Sequence, residues 1–558
     1  MPTAKPFQKA SALLITSGAV KLPGCVLPPG RSPVLSESAS QPVKDYYRQC
    51  PGEPYKISDA VCLQRQRHHY PKCPGCRWHD AALASSGSGD SAREDRSEGP
   101  MIEKVFKAYD VRGTYPDPLN EEVAWKVGYA TAQFLRMNLT GLDKANTQLN
   151  KIVVGRDMRP SSPSLAKALI DGILSTGTSV IDIGMVDTPA VYFAINHLAT
   201  CGGIQVTASH NPAQYNGFKI SGLQARPVGE NTGLNEIGRI AQTLRKNPPA
   251  QVGGGEQVDV SGPYRQHVLQ FLRLARPLKV VVDASNGMAG SFVPSIFQDQ
   301  AELDIIPLNM EITGRFKHEP NPLVDANLRE LQEAVLSNHA DFGVCFDGDA
   351  DRCMFVDEQA RIVRCDVLTA VLAKEFLRKN PGATIVYDLR SSRVLREEIL
   401  NAGGTPRRER VGHVFMKKAL ADTHGVFGGE LSGHFYFRDN FKADSGAIVF
   451  AITSSVISSV DMPMSQLIKP LLRYYSSGEI NFEVEDKDAA IRKLAERYKD
   501  AQIDYLDGIT IDYPDWWCNV RKSNTEPLLR LNLEANTAEL LKKKVAEVGP
   551  QLGTPVKH

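Results

Sequence analysis

Three carboxylates lie within five residues of the segment FDGDADR, where Asp347, Asp349 and Asp351 alternate with small residues. Like charges this close repel one another strongly unless a cation lies among them. An all-oxygen ligand set suits Mg²⁺, Ca²⁺ or Mn²⁺. The segment begins like the calcium loop of an EF-hand, but Arg352 stands where that loop needs glycine, and a strand-like run precedes it instead of a helix. The pattern indicates a hard-metal loop, with a solvated acidic turn as the alternative.

A serine and a histidine stand side by side in a second segment, TASHNPAQYNGFK, which is rich in turn-forming residues. Val206 and Thr207 have the character of a strand end, and the Asn-Pro and Asn-Gly pairs that follow favour a loop. A loop held by a rigid scaffold is a common place for catalytic side chains. Ser209 is a candidate nucleophile, with His210 beside it and Lys219 ten residues on. A surface turn after an edge strand is the alternative.

Two further loops carry groups that can bind hydroxyls and phosphate. In GGELSGHFYF, Glu430, Ser432 and His434 alternate, so in extended backbone their side chains would face the same way and could bind sugar hydroxyls. A polar hairpin is the alternative interpretation. The segment RKSNTEP combines a cation, hydroxyls and free backbone amides, which favours a phosphate-binding turn. The candidate phosphate ligands are Arg521, Ser523, Asn524 and Thr525.

The four loops together indicate a single chemistry. One offers a nucleophile, one a hard metal, one a set of hydroxyl ligands and one a phosphate site. A site that acts on a phosphorylated sugar by phosphoryl transfer needs all four. In such a site, cations offset the charge that builds on the phosphoryl oxygens.

The elements that must position these loops alternate between strands and helices from residue 101 onward. The strand-like KIVVGRD precedes a helical pattern with Leu165, Leu169 and Ile173 on one face. Similar strand and helix alternation recurs in blocks of about a hundred residues, too long for a solenoid repeat. This alternation predicts α/β units. The last eighty or so residues instead predict a small antiparallel sheet with two helices.

Composition narrows the class of protein further. The 558 residues carry a net charge of +1, which argues against a general nucleic-acid or anionic-membrane binder. No apolar run approaches the roughly 20 residues needed to span a bilayer. Of the ten cysteines, five are scattered in apolar surroundings after residue 80, which favours reduced thiols and a cytoplasmic protein.

The first hundred residues differ from the rest. They are rich in Pro, Ser, Gly and Arg, and their composition predicts a disordered extension that catalysis does not need. Cys73 and Cys76 have the spacing of half a zinc knuckle, with histidines nearby, but no second pair matches them. A third interpretation is that Met101 is the true start of the protein.

The four loops also resemble a known family. TASHNP, DGDADR, GELSGH and RKSNTEP closely resemble, in the same order, the signature loops of the α-D-phosphohexomutases, and FKAYDVRGTYP resembles their N-terminal loop. The resemblance covers about residues 101–550. It implies three topologically similar α/β domains and a smaller C-terminal α+β domain around a central active-site cleft. The implied boundaries are a 1–100 extension and domains at 101–262, 263–362, 363–474 and 475–558.

The resemblance also implies a role for each candidate residue. Ser209 would carry a phosphoryl group and would share Mg²⁺ with Asp347, Asp349 and Asp351. His210, Lys219, Arg352 and Arg112 would assist at the transferring group, and His413 of VGHVFMK would lie near the reacting hydroxyl. Tyr109, Glu430, Ser432, His434, Arg521, Ser523, Asn524 and Thr525 would bind substrate.

The implied reaction interconverts hexose 1-phosphate and hexose 6-phosphate through phosphoserine and a hexose 1,6-bisphosphate. The sequences E-L-S-G-H and S-N-T-E-P favour the phosphomannomutase/phosphoglucomutase branch, with mannose and glucose phosphates as substrates of a monomer or homodimer. Two other classes stay open: a metal-dependent phosphatase that uses the acidic cluster alone, and a sugar-phosphate binding protein without chemistry.

Overall fold

The computed structural model describes residues 47–49, 56–58, 99–244, 252–523 and 528–556. The predicted extension lies almost wholly outside these residues, as do Cys73, Cys76, Asn524 and Thr525. Within it, two short strands, β1 (Tyr47–Gln49) and β2 (Lys56–Ser58), pair in antiparallel fashion. Among the described residues, no helix is both long enough and apolar enough to cross a membrane.

The first large sheet follows the predicted alternation of strands and helices. Its strand order is β3-β7-β6-β4-β5-β8, with parallel pairing from β6 to β8 and antiparallel pairing of β3, β7 and β6. The elements are α1 (Gly99–Val105), β3 (Val111–Thr114), α2 (Glu121–Met137), β4 (Lys151–Arg156), α3 (Ser162–Leu174), β5 (Ser179–Met185), α4 (Thr188–His197), β6 (Gly202–Val206), β7 (Tyr215–Ser221), α5 (Leu234–Thr243) and β8 (Gly255–Gln257).

The second and third sheets repeat this plan with fewer strands. The second has the order β10-β9-β11-β12-β13 and the third β15-β14-β16-β17, each with parallel strands and an antiparallel edge. The elements are α6 (Ser261–Leu269), β9 (Leu278–Asp283), α7 (Ala289–Phe297), β10 (Leu303–Leu308), α8 (Arg329–Asn338), β11 (Phe342–Phe346), β12 (Cys353–Asp357), β13 (Ile362–Val363), α9 (Cys365–Lys379), β14 (Thr384–Asp388), α10 (Arg393–Asn401), β15 (Thr405–Glu409), α11 (His413–Asp422), β16 (Phe427–Gly429), β17 (Phe435–Phe437), α12 (Gly446–Ser458) and α13 (Met464–Ile468).

The fourth sheet is antiparallel throughout and carries two α-helices. Its order is β19-β20-β21-β22-β18-β23. The elements are β18 (Tyr475–Glu483), α14 (Lys487–Arg497), β19 (Gln502–Asp504), β20 (Ile509–Asp512), β21 (Trp516–Lys522), β22 (Leu528–Ala535), α15 (Ala538–Val548) and β23 (Thr554–Val556). The predicted fold class, three α/β units and a smaller α+β unit, is confirmed.

Each candidate loop joins two neighbouring antiparallel strands. We call residues 207–214 between β6 and β7 the serine loop, and 347–352 between β11 and β12 the acidic loop. Residues 430–434 between β16 and β17 are the glutamate loop, and 523–527 between β21 and β22 the C-terminal loop. The three α/β sheets thus present their chemistry at the same topological position, the turn at which parallel pairing gives way to antiparallel pairing.

Packing fixes the second and third sheets relative to each other. The buried apolar side chains of both sheets form one continuous cluster, which includes Phe346 at the end of β11 and Phe435 at the start of β17. The first and fourth sheets have separate cores of their own. Since interiors are close-packed and yield little, the acidic and glutamate loops are held on one rigid support.

Candidate active site

The acidic loop forms the centre of the site. Asp347, Asp349 and Asp351 are all buried, and one oxygen from each lies within 4.8 Å of the others. Burial and the two neighbouring carboxylates raise the pKa of Asp347 to about 8. The predicted convergence of three mutually repelling carboxylates is therefore present in the structure.

Two cations offset this negative charge. Lys219 Nζ lies 2.7 Å from Asp349 Oδ2 and also contacts Asp351. Burial alone would lower the pKa of Lys219, but the carboxylates outweigh it and raise that pKa. Arg352 Nε lies 3.6 Å from Asp347 Oδ2 and 3.8 Å from Asp351 Oδ1. The cluster nevertheless has one more carboxylate than it has cations.

The remaining oxygens could bind a metal ion. Asp349 Oδ1 and Asp351 Oδ1 are buried, and neither has a hydrogen-bond partner among the residues that the structure describes. Buried polar atoms normally have a partner. The excess negative charge and the orphaned oxygens fit a divalent cation with oxygen ligands, and Ser209 Oγ is close enough to join the set.

The serine loop delivers Ser209 to the acidic loop. Ser209 is buried, and its Oγ donates a hydrogen bond to Asp347 Oδ2 at 3.0 Å. Its backbone φ is +52°, a left-handed conformation that side-chain-bearing residues rarely adopt and that costs about 1–3 kcal/mol. The amide of Ser209 donates to Thr207 Oγ1 at 2.9 Å. Gly348 permits the approach of the two loops, because a Cβ there would lie 2.5 Å from the Ser209 carbonyl oxygen.

His210 and Arg112 lie beside the serine. Arg352 donates from Nη2 to His210 Nδ1 at 2.9 Å. Burial and the positive charge of Arg352 hold the pKa of His210 well below its usual value, so the ring is neutral. Arg112 pairs with Asp110 and donates from Nη1 to Asn211 Oδ1 at 2.7 Å. His210 is thus part of the serine loop, and Arg112, on β3, contacts that loop through Asn211.

The glutamate loop reaches the acidic loop through its backbone. Arg352 and His434 form an isolated antiparallel bridge, and the amide of Cys353 donates to the Gly433 carbonyl at 3.2 Å. Ser432 Oγ donates to Glu430 Oε2 at 2.6 Å, and Tyr436 Oη donates to Glu430 Oε1 at 3.0 Å. The Glu430 carboxylate is therefore held on both oxygens.

Residues 430–434 are not in extended backbone. Gly433 has a φ of +85°, and its amide donates to the Glu430 carbonyl at 3.1 Å. The segment is thus a tight turn. The turn conformation that glycine permits brings Glu430 and Ser432 together directly, so the alternation of residues does not act as a strand face here.

Two histidines line the third sheet's side of the site. The rings of His413, at the start of α11, and His434 are 6.2 Å apart, and the Tyr109 ring lies 5.6 Å from that of His413. Burial and the charge of Lys417 lower the pKa of His413. Burial also acts against the charged form of His434, but the carboxylates of Asp351 and Asp444 outweigh it and raise its pKa.

A buried ion pair supports His434 from behind. Asp444 Oδ2 lies 2.7 Å from His434 Nδ1, and Asp444 Oδ1 lies 2.7 Å from Lys417 Nζ. Lys417 Nζ also stands 3.9 Å from the centre of the Tyr192 ring, which belongs to the first sheet's α4. Sequence reasoning gave no role to Asp444, which lies in no recognisable loop motif, or to Lys417, the last residue of VGHVFMK.

The fourth sheet contributes Arg521 and Ser523. Arg521 is buried and donates from Nη2 to Glu479 Oε2 at 2.8 Å. Glu479 also lies 3.5 Å from Arg390 and 2.9 Å from Arg530. Burial acts to raise the pKa of Glu479, but the three arginines outweigh it and lower that pKa to about 2. Arg390 follows β14, so this charge cluster joins the fourth sheet to the third sheet. Sequence reasoning missed Arg390 and Glu479.

The comparisons with known proteins agree with this architecture. Four family models match in order: phosphoglucomutase/phosphomannomutase alpha/beta/alpha domain I at residues 103–248, domain II at 263–360, domain III at 364–475 and the C-terminal domain at 479–549. The chain belongs to the phosphoglucomutase/phosphomannomutase family of the α-D-phosphohexomutase superfamily, as the four loops predicted.

The match to this chain covers nearly the whole length of individual relatives. A phosphomannomutase of Escherichia coli is 37% identical over 79% of this chain and 98% of its own. A phosphomannomutase/phosphoglucomutase of Pseudomonas aeruginosa is 36% identical over 79% of this chain and 93% of its own. The crystal structure of a phosphoglucomutase/phosphomannomutase family protein from Burkholderia thailandensis is 31% identical, covers 82% of this chain and all of its own, and superimposes with a TM-score of 0.73.

Proposed function

We propose that this protein interconverts hexose 1-phosphate and hexose 6-phosphate, with mannose and glucose as the sugars, through phosphorylated Ser209 and a hexose 1,6-bisphosphate. The observation that carries the proposal is the hydrogen bond from Ser209 Oγ to Asp347 at 3.0 Å, inside a carboxylate cluster faced by Lys219 and Arg352. A buried serine, three carboxylates and two cations in contact are typical of a metal-assisted phosphoryl-transfer site.

In the proposed metal site, Asp347, Asp349, Asp351 and Ser209 would hold Mg²⁺, which would offset charge on the phosphoryl oxygens. Cationic side chains of the protein would offset the same charge. Lys219 and Arg352 lie at the acidic loop, and Arg112 is held beside the serine loop by Asn211.

The first half-reaction breaks the bond between Ser209 Oγ and phosphorus and forms a bond between phosphorus and the free sugar hydroxyl. The hydroxyl proton must leave, and we assign its acceptance to His413, which lies beside His434 and Tyr109. The second half-reaction reverses these bonds at the other phosphate of the bisphosphate, which returns a phosphoryl group to Ser209. Water must be excluded in between, or phosphoserine would be hydrolysed.

We assign sugar recognition to Glu430 and Ser432 and phosphate recognition to the C-terminal loop. The turn that joins Glu430 and Ser432 offers a carboxylate and a hydroxyl to the 3- and 4-hydroxyls, which glucose and mannose share. His434 and Tyr109 complete the wall of the cleft. The phosphate that is not transferred would be bound by Arg521, Ser523, Asn524 and Thr525. Because no assigned residue reads the 2-hydroxyl, both sugars are accepted.

Mass measurement of the intact protein tests the proposal. Protein purified from cells is expected to contain a fraction heavier by one phosphoryl group, located at Ser209 and removed by phosphatase. Ser209→Ala is expected to lose both this fraction and nearly all mutase turnover. Ser285 offers a matched control, since it is also buried with a φ of +50° but donates to the Phe346 carbonyl instead. Ser285→Ala is expected to keep the phosphorylated fraction.

The outcomes separate the alternative classes. A metal-dependent phosphatase would keep its activity in Ser209→Ala, and a binding protein would show no heavier fraction and no turnover. A hundredfold preference for glucose 1-phosphate or mannose 1-phosphate would contradict dual specificity.

We also propose the domain boundaries 101–262, 263–362, 363–474 and 475–558, and a cytoplasmic monomer or homodimer. The boundaries are supported by the division into four sheets. The location is supported by cysteines that are free and buried throughout the described residues: Cys201, Cys345, Cys353, Cys365 and Cys518.

A further inference from the structure

Arg159, just before α3, is a fully buried arginine that touches none of the reacting groups. Its relative exposure is 1%, and all five of its guanidinium N–H groups can be accounted for. Nε donates to Asp157 Oδ2 at 3.1 Å. The four remaining N–H groups have main-chain carbonyls as acceptors. A charged side chain is seldom buried this completely unless it is paired.

The four carbonyls belong to the serine loop and to the first residue after it. Nη2 donates to the carbonyl of Ser209 at 2.9 Å and to that of Asn211 at 2.7 Å. Nη1 donates to the carbonyl of Pro212 at 2.7 Å and to that of Tyr215 at 3.0 Å. One planar group therefore holds the loop from Ser209 to Tyr215, and one of its bonds is to Ser209, the residue with the strained backbone.

The arginine is itself held by the second sheet's unit. The Phe316 ring lies 5.3 Å from the guanidinium carbon, and Gly314 approaches so closely that a Cβ there would be 2.6 Å from Pro160 Cδ. Phe316 and Gly314 lie on the long connection between β10 and α8, in the same unit as the acidic loop. The arginine thus ties the serine loop to the unit that carries Asp347.

We propose that Arg159 is a positioning residue for phosphoryl transfer, which holds the backbone of the serine loop so that Ser209 Oγ stays directed at the acidic loop. The proposal rests on the function proposed above. Arg159 acts only through the Ser209 carbonyl and its neighbours. A displacement of a reacting atom by about 1 Å can cost about 100-fold in rate, so the loop conformation governs turnover.

Lysine cannot replace this arginine. An ammonium has three donors that diverge from one atom, whereas the guanidinium presents five in a fixed plane. Arg159→Lys keeps the charge opposite Asp157 but must abandon at least some of the loop carbonyls. We expect kcat to fall about 100-fold. KM is expected to stay within about threefold, because sugar and phosphate are bound by other loops.

Arg136→Lys is the matched control. Arg136 lies in the same unit and donates from Nη1 to the Thr176 carbonyl at 3.1 Å, away from the serine loop. Both variants are compared with the wild type for kcat, KM, the unfolding midpoint and phosphorylation of Ser209 by hexose 1,6-bisphosphate. A fall in kcat and in phosphorylation rate for Arg159→Lys alone, with KM retained, supports positioning.

Three results would overturn the proposal. They are a kcat within threefold of the wild type for Arg159→Lys, an equal loss in Arg136→Lys, or a rise in KM that accounts for the whole effect. If Arg159→Lys does not fold, Phe316→Leu is the second test, because it removes the ring that packs on the Arg159 guanidinium and leaves the serine loop sequence unchanged. A lowered kcat with unchanged KM supports the proposal, and a wild-type kcat overturns it. Failure of the proposed function itself would show separately, as wild-type protein that bisphosphate never phosphorylates.

Discussion

Replacement of Asp444 by asparagine tests the buried ion pair behind His434. Asp444 and Lys417 are 2.7 Å apart, and their side chains are only 1% and 4% exposed. Asparagine keeps the size of the side chain but removes the charge that Lys417 Nζ faces. The lysine would then be a buried cation without a carboxylate at Asp444, although the Tyr192 ring would still lie 3.9 Å from Nζ.

The expected loss is large. Removal of one partner from a buried ion pair typically costs about 3–5 kcal/mol, and the contact with the Tyr192 ring returns up to about 2 kcal/mol of that. A net loss of about 1–5 kcal/mol in the free energy of unfolding corresponds to roughly 2–20 °C in the melting temperature for a unit of 150–250 residues. The neighbouring pair Lys418–Asp422 on α11 is 68% and 58% exposed. Asp422→Asn should cost no more than about 1 kcal/mol.

Calorimetry of the wild type and both variants under one set of conditions measures this difference. A third variant, Lys417→Met with Asp444→Leu, removes both charges of the pair and should recover part of the lost stability, because a well-packed apolar pair replaces a buried ion pair at little cost. The recovery is incomplete because His434 Nδ1 loses Asp444 as its partner. Equal and small losses for Asp444→Asn and Asp422→Asn would refute the reasoning, as would a double variant less stable than Asp444→Asn.

Three further predictions concern the carboxylates of the site and its support. Glu430→Gln should raise KM by about 10- to 100-fold for mannose and glucose phosphates alike, because hydrogen bonds to a charged group are worth about 1.5–3 kcal/mol; an effect on one sugar alone, in steady-state assays, would contradict the assignment. Mg²⁺ should raise the melting temperature of the wild type but not that of Asp349→Asn; equal shifts would place the ion elsewhere. Burial raises the pKa of Asp187 from 3.8 to about 7, although Tyr264 donates to it. The folded state therefore binds more protons than the unfolded state between about pH 4 and 7, and the free energy of unfolding falls as the pH rises through this window. Asp187→Asn should flatten that slope in urea titrations, and an unchanged slope would show that another group causes it.

Much of this fold could be predicted from local patterns in the sequence. Buried strands such as β11, with Phe342 to Phe346 all apolar or glycine, and helices with apolar residues at helical spacing, such as α3, are specified within a dozen residues. The four loops were predictable because their chemistry is concentrated in short segments. The four loops were assigned to one site because their chemistries together suit a single reaction.

The support of the site could not be predicted in the same way. Arg159 lies 50 residues from Ser209, and Asp444 lies 93 residues after Asp351. Because partners this far apart share no local sequence pattern, neither contact could be predicted. Asp444 looks like an ordinary polar residue before a helix. In the glutamate loop, the alternating residues would share a face only in extended backbone, whereas the positive φ of Gly433 makes the segment a turn.

The distribution of charge along the chain has a consequence for synthesis on the ribosome. Domains generally fold in the order in which they emerge, the N-terminal one first. When the first sheet is complete, Lys219 has been made but Asp349 and Asp351 have not, so this lysine must stay hydrated. The carboxylates that neutralise it arrive about 130 residues later. The surface of the nascent first domain around Lys219 therefore stays exposed to water, and Lys219 becomes buried only when the second domain packs against it.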